Sequence, residues 1–208
     1  MQNKVVLYAA KLEKFLPQET TLYVAEMIVK YQVNFTISKK RKTKLGDYRY
    51  PSGGKGHRIS VNGDLNPYAF LITTLHEFAH LKAFKDYGIA IKPHGLEWKQ
   101  TFALLFQPVI DQDILPTDIY LAIRNYLQNA KASSCSDEAL YRVLRRYDDK
   151  KAILVEHLTL GSKFMLNNLI FEKGKKLRKY YLCTNTQTNR QYRVLGMAEV
   201  QKHILDDK

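Results

Sequence analysis

The chain has only two cysteines in 208 residues, Cys135 and Cys183, and no C-x-x-C pair. That excludes a disulfide-stapled scaffold and a metal site built from thiolates. The two read as free thiols in a reducing compartment, and a cytoplasmic location is expected. No stretch approaches the ~20 apolar residues that cross a bilayer, so no membrane partner is expected. The apolar run Val5-Val6-Leu7-Tyr8-Ala9-Ala10 is short, is followed by Lys11 and Glu13, and lacks a small-residue cleavage signature. It is not read as a secretory signal. There is no internal repeat and no low-complexity segment. Acidic residues are outnumbered, 20 Asp/Glu against 33 Lys/Arg, for a net charge of +13. That balance points to a polyanionic partner, nucleic acid first, with ordinary solubility charge as the plainer alternative. A hydrophobic content of 45% is enough for a core, and the length suits one domain or one with a small appendix.

What is present is concentrated in Leu71-Ile72-Thr73-Thr74-Leu75-His76-Glu77-Phe78-Ala79-His80-Leu81. This is H-E-x-x-H inside an apolar helical pattern. Residues i and i+4 lie one turn apart and about 40° apart around a helix, so both imidazoles reach one metal ion. Glu77 is rotated by about 100° from His76, off the ligand face but beside it. There it can take a proton from an activated water without being a ligand. The alternative is an amphipathic helix with two buried, hydrogen-bonded histidines. His94, thirteen residues after His80, lies between the turn formers Pro93 and Gly95, which can aim a third imidazole at the same helix face.

Along the chain, Val5–Phe15 and Glu19–Tyr31 have helical spacing, with Pro17 between them. Val33–Ser38 alternates as a strand, and His57–Asn62 resumes one; the two are expected to pair as an antiparallel ribbon. Between them, residues 39–58 hold eight Lys/Arg against one acid, Asp47, with Tyr48 and Tyr50 interleaved. Ser52-Gly53-Gly54-Lys55-Gly56 lacks the Walker spacing and reads as a hairpin connection. A basic loop with tyrosines suits phosphates and stacked bases, so Lys39, Lys40, Arg41, Lys42, Lys44, Tyr48 and Arg49 are candidate nucleic-acid contacts; a solvated loop is the alternative. Asn66 is the expected N-cap and Pro67 the first turn of the metal helix, which runs to about Lys85 and closes near Gly88. Further helices are expected over Leu96 to about Phe106, with Trp98 packed behind His94, and over Pro116 or Thr117 to Ala130. A last one, capped by Ser134 or Ser136, should run through Arg146. From Lys151 the texture changes to short strands at 154–158, 163–166, 169–173, 177–183 and 191–195, with a closing helix over 197–204. Eleven Lys/Arg stand against five Asp/Glu there.

With Arg41-Lys42-Thr43-Lys44-Leu45-Gly46-Asp47-Tyr48, His76-Glu77-Phe78-Ala79-His80 and His94-Gly95-Leu96-Glu97-Trp98 in view, the chain resembles the SprT-like zinc metalloproteases, over roughly residues 20 to 110. The resemblance implies an α+β fold with a zincin-like domain, helices packed on a small sheet, over 1–150. It implies one Zn²⁺ per chain on His76, His80 and His94, with Glu77 as the catalytic residue. Family members with known activity cleave proteins attached to or bound on DNA. Such proteins often end in a zinc ribbon with paired C-x-x-C knuckles. Here Cys183 stands alone and Thr186 occupies the place of its partner, so residues 151–208 are expected to form a basic, β-rich appendix resembling a ribbon without metal.

Three neutral imidazoles leave a fourth position open, as in a catalytic rather than a structural zinc site. Tyr48, His57 and Tyr87 are the candidates for stabilising the oxyanion. The expected function is a zinc endopeptidase acting on DNA-associated or DNA-crosslinked protein, with single-stranded or frayed DNA as a second partner. The alternatives are a nucleic-acid-binding adaptor with a structural or vestigial zinc, and a zinc peptidase unrelated to DNA.

Overall fold

The computed structural model describes residues 2–41, 43–111, 114–128 and 137–202. The chain is α+β and divides into two compact units, Met1–Asp149 and Lys150–Lys208. In the first, α1 (Gln2–Leu12) and α2 (Thr21–Lys30) precede β1 (Asn34–Ser38), β2 (Gly46–Arg49) and β3 (Arg58–Asn62). Then come α3 (Pro67–Tyr87), α4 (Leu96–Asp111), α5 (Thr117–Gln128) and α6 (Glu138–Leu144).

The helix α3 is the axis of this unit. Every residue from Ala69 to Ala79 is buried, as expected of a helix that is apolar nearly all round and packed on every side. Asn66 caps it, its Oδ1 accepting from Ala69 N at 3.0 Å, and Pro67 opens the first turn, where a missing N–H costs nothing. Gly88, at φ 81°, ends it. Phe70, Phe78, Trp98, Phe102 and Phe106 fill the core around it.

The sheet corrects one expectation. Its order is β1-β3-β2, and β1 runs parallel to β3, not antiparallel. A parallel pair needs a return crossover, and residues 39–57 supply it. They contain β2, which pairs antiparallel on the far side of β3, and the turn at Gly53 and Gly54 (φ 56° and 71°) joins β2 to β3 as a hairpin. Other differences are smaller. α4 runs through Pro108 to Asp111 rather than stopping near Phe106, because Val109 still faces the core. Asp137 caps α6, accepting from Ala139 N and Leu140 N at 3.1 and 3.0 Å, and Arg145–Tyr147 follow as a 3-10 turn. Cys135 and the two serines expected as caps, Ser134 and Ser136, lie outside the described residues, as does Ala130 at the expected end of α5.

The second unit is an antiparallel sheet in the order β4-β9-β5-β6-β7-β8. Its strands are β4 (Ile153–Leu154), β5 (Lys163–Leu166), β6 (Leu169–Lys176), β7 (Tyr180–Asn185), β8 (Gln191–Leu195) and β9 (Glu199–Lys202). Its core is its own: Val155, Leu158, Phe164, Phe171, Cys183, Val194 and Val200. Two expectations fail here. The strand over 154–158 gives way to a 3-10 turn, Val155–His157, that puts Val155 into the core. The closing helix is instead β9, paired to β4 and β5, where Val200 is buried between exposed Glu199 and Gln201. A run that short does not separate period 2 from period 3.6. His203 and Ile204 lie outside the described residues.

Candidate metal centre

Two of the three histidines come from adjacent turns of α3 and the third from the turn before α4. The Nε2 atoms of His76 and His80 are 3.3 Å apart, and those of His76 and His94 are 3.2 Å apart. The three residues offer ligand atoms that all lie within 4.8 Å of one another, so they could hold a metal ion. A four-coordinate ion with bonds of about 2.0–2.1 Å to imidazole separates two ligand atoms by about 3.3–3.4 Å. The observed spacing fits such an ion, with three nitrogens converging on one point.

His94 reaches that point through an unusual backbone. Gly95 N donates to Lys92 O at 2.8 Å, closing a four-residue turn with Pro93 second and His94 third. The third residue has φ 60°, the positive value of a type II turn, which normally selects glycine or asparagine. A non-glycine residue there carries strain of about 1–2 kcal/mol, a pattern that concentrates at functional sites. Trp98 packs against all three imidazoles, with ring centroids 4.6, 5.3 and 4.7 Å from those of His76, His80 and His94. Phe102 stacks behind it. Burial, reinforced by the neighbouring imidazoles, holds His76 down at about 2 and His80 at about 3; burial lowers His94 as well. All three are therefore neutral at physiological pH, the state in which imidazole is a ligand. His76 Nδ1 is buried with no hydrogen-bond partner among the described residues.

Glu77 turns the other way, toward β2. Burial, followed by the negative charge of Asp47, pushes its carboxyl up to about 8, against the opposing pull of the Tyr48 N–H, Arg41 and Lys44. Gly46 makes the approach possible. A Cβ at that position would lie 2.7 Å from Thr73 Cγ2 and 2.8 Å from Glu77 Cγ, so a side chain has no room. Tyr48 stands between two histidines. Its ring is parallel to that of His80, centroids 6.4 Å apart, and its hydroxyl is 3.0 Å from His57 Nδ1. Tyr87, the third candidate beside Tyr48 and His57, is exposed at the C-terminal end of α3.

The candidate nucleic-acid contacts are mostly engaged within the chain. Arg41 points inward: Nε donates to Asn62 Oδ1 at 2.7 Å, Nη1 to Ser60 Oγ at 2.9 Å, and Nη2 to the carbonyls of Leu45 and Ser60. Lys44 and Arg49 share Asp47, at 2.8 and 2.9 Å, and Lys40 is 3.5 Å from Asp64. Lys39 is exposed, and Lys42 lies outside the described residues. Sequence reasoning gave Gly46, Asn62 and Ser60 no role. The only signal for Gly46 was its place in the stretch carrying the family resemblance.

No curated protein and no solved structure matches the chain significantly. Residues 13–112, which hold β1 to β3, α3 and the histidine turn, match the SprT-like family. Over that span the chain belongs to the SprT-like family, which marks these residues as a metallopeptidase-like domain.

Proposed function

We propose that this protein is a zinc-dependent endopeptidase of zincin-like architecture that acts on proteins bound or crosslinked to DNA. The observation that carries the reading is the pairing of a three-imidazole cluster with a non-ligand carboxylate, Glu77, on the adjacent helix position. A purely structural metal site has no use for that carboxylate. A zinc ion held by His76, His80 and His94 supplies Lewis acidity toward water and toward the scissile carbonyl. Glu77 takes the proton of the attacking water and hands it to the departing amine. Tyr48, steadied by its hydrogen bond to His57, is the side chain best disposed to donate to the developing oxyanion. Residues 150–202 are read as a metal-free ribbon-like appendix, because Cys183 is buried and joins no metal-binding group among the described residues.

The DNA part of the reading rests on the net charge of +13. A second reading, a zinc peptidase whose substrates are not on DNA, is favoured by one observation: Lys40, Arg41, Lys44 and Arg49 all have partners inside the chain. Cleavage of one protein substrate, free and tethered to single-stranded DNA, separates the two. Faster cleavage of the tethered form supports the first reading; equal rates support the second.

A further inference from the structure

Arg41 sits in a lysine-rich run, yet its guanidinium spends its donors on β3 and on the loop that carries it. Asn62, 1% exposed at the end of β3, closes the device from the other side. Its Oδ1 accepts from Arg41 Nε at 2.7 Å and from Ser38 Oγ at 3.1 Å. Its Nδ2 donates to the carbonyls of Arg41 and Lys44 at 3.3 and 3.1 Å, and its backbone N–H donates to Leu45 O at 2.9 Å. Residues 41 to 45 are thus folded back against β3 at both ends. The next residue is Gly46, which meets Thr73 and Glu77 with no space to spare, and two residues on the Tyr48 N–H donates to the Glu77 carboxylate.

We propose that Arg41, clasped by Asn62, is a positioning residue for Glu77: it fixes the path of residues 41–45 and so the place where Gly46 and Tyr48 meet the Glu77 carboxylate. The role rests on the peptidase reading given above, and it removes Arg41 from the set of nucleic-acid contacts. A lysine in its place cannot reproduce it. One ammonium offers no planar fork to reach Asn62 Oδ1, Ser60 Oγ and two carbonyls at once. A displacement of about 1 Å at a reacting group is enough to slow a reaction about 100-fold.

The test compares the full-length parent with Arg41→Lys, Arg41→Ala and Asn62→Ala, each loaded with zinc. Arg41→Lys keeps the charge and is the variant that carries the test if Arg41→Ala does not fold. Three quantities are measured: kcat and KM on an unstructured peptide, amide hydrogen exchange, and the salt dependence of binding to single-stranded DNA. The expected result for Arg41→Lys is a kcat lowered roughly 10- to 100-fold with KM unchanged. Amide exchange should quicken at Gly46–Tyr48 but not along α3, and the salt slope should be that of the parent. Parent-like exchange at Gly46–Tyr48 in both Arg41 variants overturns the proposal. So does a salt slope in Arg41→Ala reduced by about 0.7–0.9, the loss of one phosphate contact. If the parent itself cleaves no peptide, the peptidase reading falls, and the exchange data still decide whether Arg41 places Gly46 and Tyr48.

Discussion

Gly46 and Glu77 are in contact with no space for a side chain between them. The strand β2 lies so close to α3 that a Cβ at residue 46 would reach within 2.8 Å of Glu77 Cγ and 2.7 Å of Thr73 Cγ2. Neither neighbour can retreat easily, since Thr73 and Glu77 are buried in the central helix. Gly46→Ala is therefore expected to push β2 or the carboxylate aside. Cleavage should fall on the order of 10- to 100-fold while the zinc stays, because no imidazole touches residue 46. Zinc content and kcat measured on one preparation check this. Undiminished kcat would mean that the position of Glu77 is not held by β2.

A second prediction concerns the turn that presents His94. At φ 60°, alanine is strained and glycine is not. Both His94→Ala and His94→Gly should lose metal affinity, but the glycine variant should be the more stable by about 1 kcal/mol. Urea midpoints of the two metal-free variants decide it. Equal midpoints would show the turn to be unstrained.

Metal-free stability should depend on pH in two opposite ways. His76 and His80 titrate at about 2 and about 3 in the fold, whereas an unfolded histidine titrates near ~6.5. Below about pH 6.5 the unfolded chain binds protons that the fold does not, so stability falls on acidification, by up to about 1.4 kcal/mol per pH unit for each imidazole. Glu77 is raised to about 8 from 4.5, so between those values the fold holds a proton that the unfolded chain has lost. Its contribution is present at low pH and lost as pH rises through that window. Melting temperatures in chelator should thus peak near pH ~6.5. In Glu77→Gln the decline above the peak should be flatter; an identical decline would assign it to other groups.

On nucleic acid, the engaged partners of Arg41, Lys44 and Arg49 leave Lys39, Lys40 and the half-exposed Tyr50 as the better candidates in this segment. Tyr50 stacks on Phe84 at 5.9 Å with one face toward solvent open to a base. Lys39→Glu with Lys40→Glu should weaken binding to single-stranded DNA and flatten its salt slope by roughly 1.4–1.8. Tyr50→Ala should weaken binding by roughly 1–3 kcal/mol without changing the slope. A double lysine variant with the parent's slope would remove this segment as the DNA site.

Much of the site was legible because H-E-x-x-H is a local pattern. Helix periodicity alone places His76 and His80 on one face, and Pro93 and Gly95 announce the turn at His94. Asn66, Pro67 and Gly88 bound α3 for equally local reasons. What sequence could not give was non-local. The pairing of β1 with β3 depends on where β2 inserts, and two alternating runs look the same whether parallel or antiparallel. Charge counting also misleads, because it cannot distinguish a solvated cation from a pinned one. Arg41 is locked to Asn62, and Lys173, counted in the basic C-terminal balance, is 5% exposed with Nζ donating to the Leu158 carbonyl.

The central claim is that His76, His80 and His94 hold one zinc ion and that Glu77 moves the proton. The most direct measurement is zinc content together with proteolysis, on the parent, Glu77→Gln and Cys183→Ser. The account predicts one zinc per chain in all three, with cleavage by the parent and Cys183→Ser and none by Glu77→Gln. Parent-level cleavage by Glu77→Gln, or a parent that takes up no zinc when supplied with it, would contradict the account.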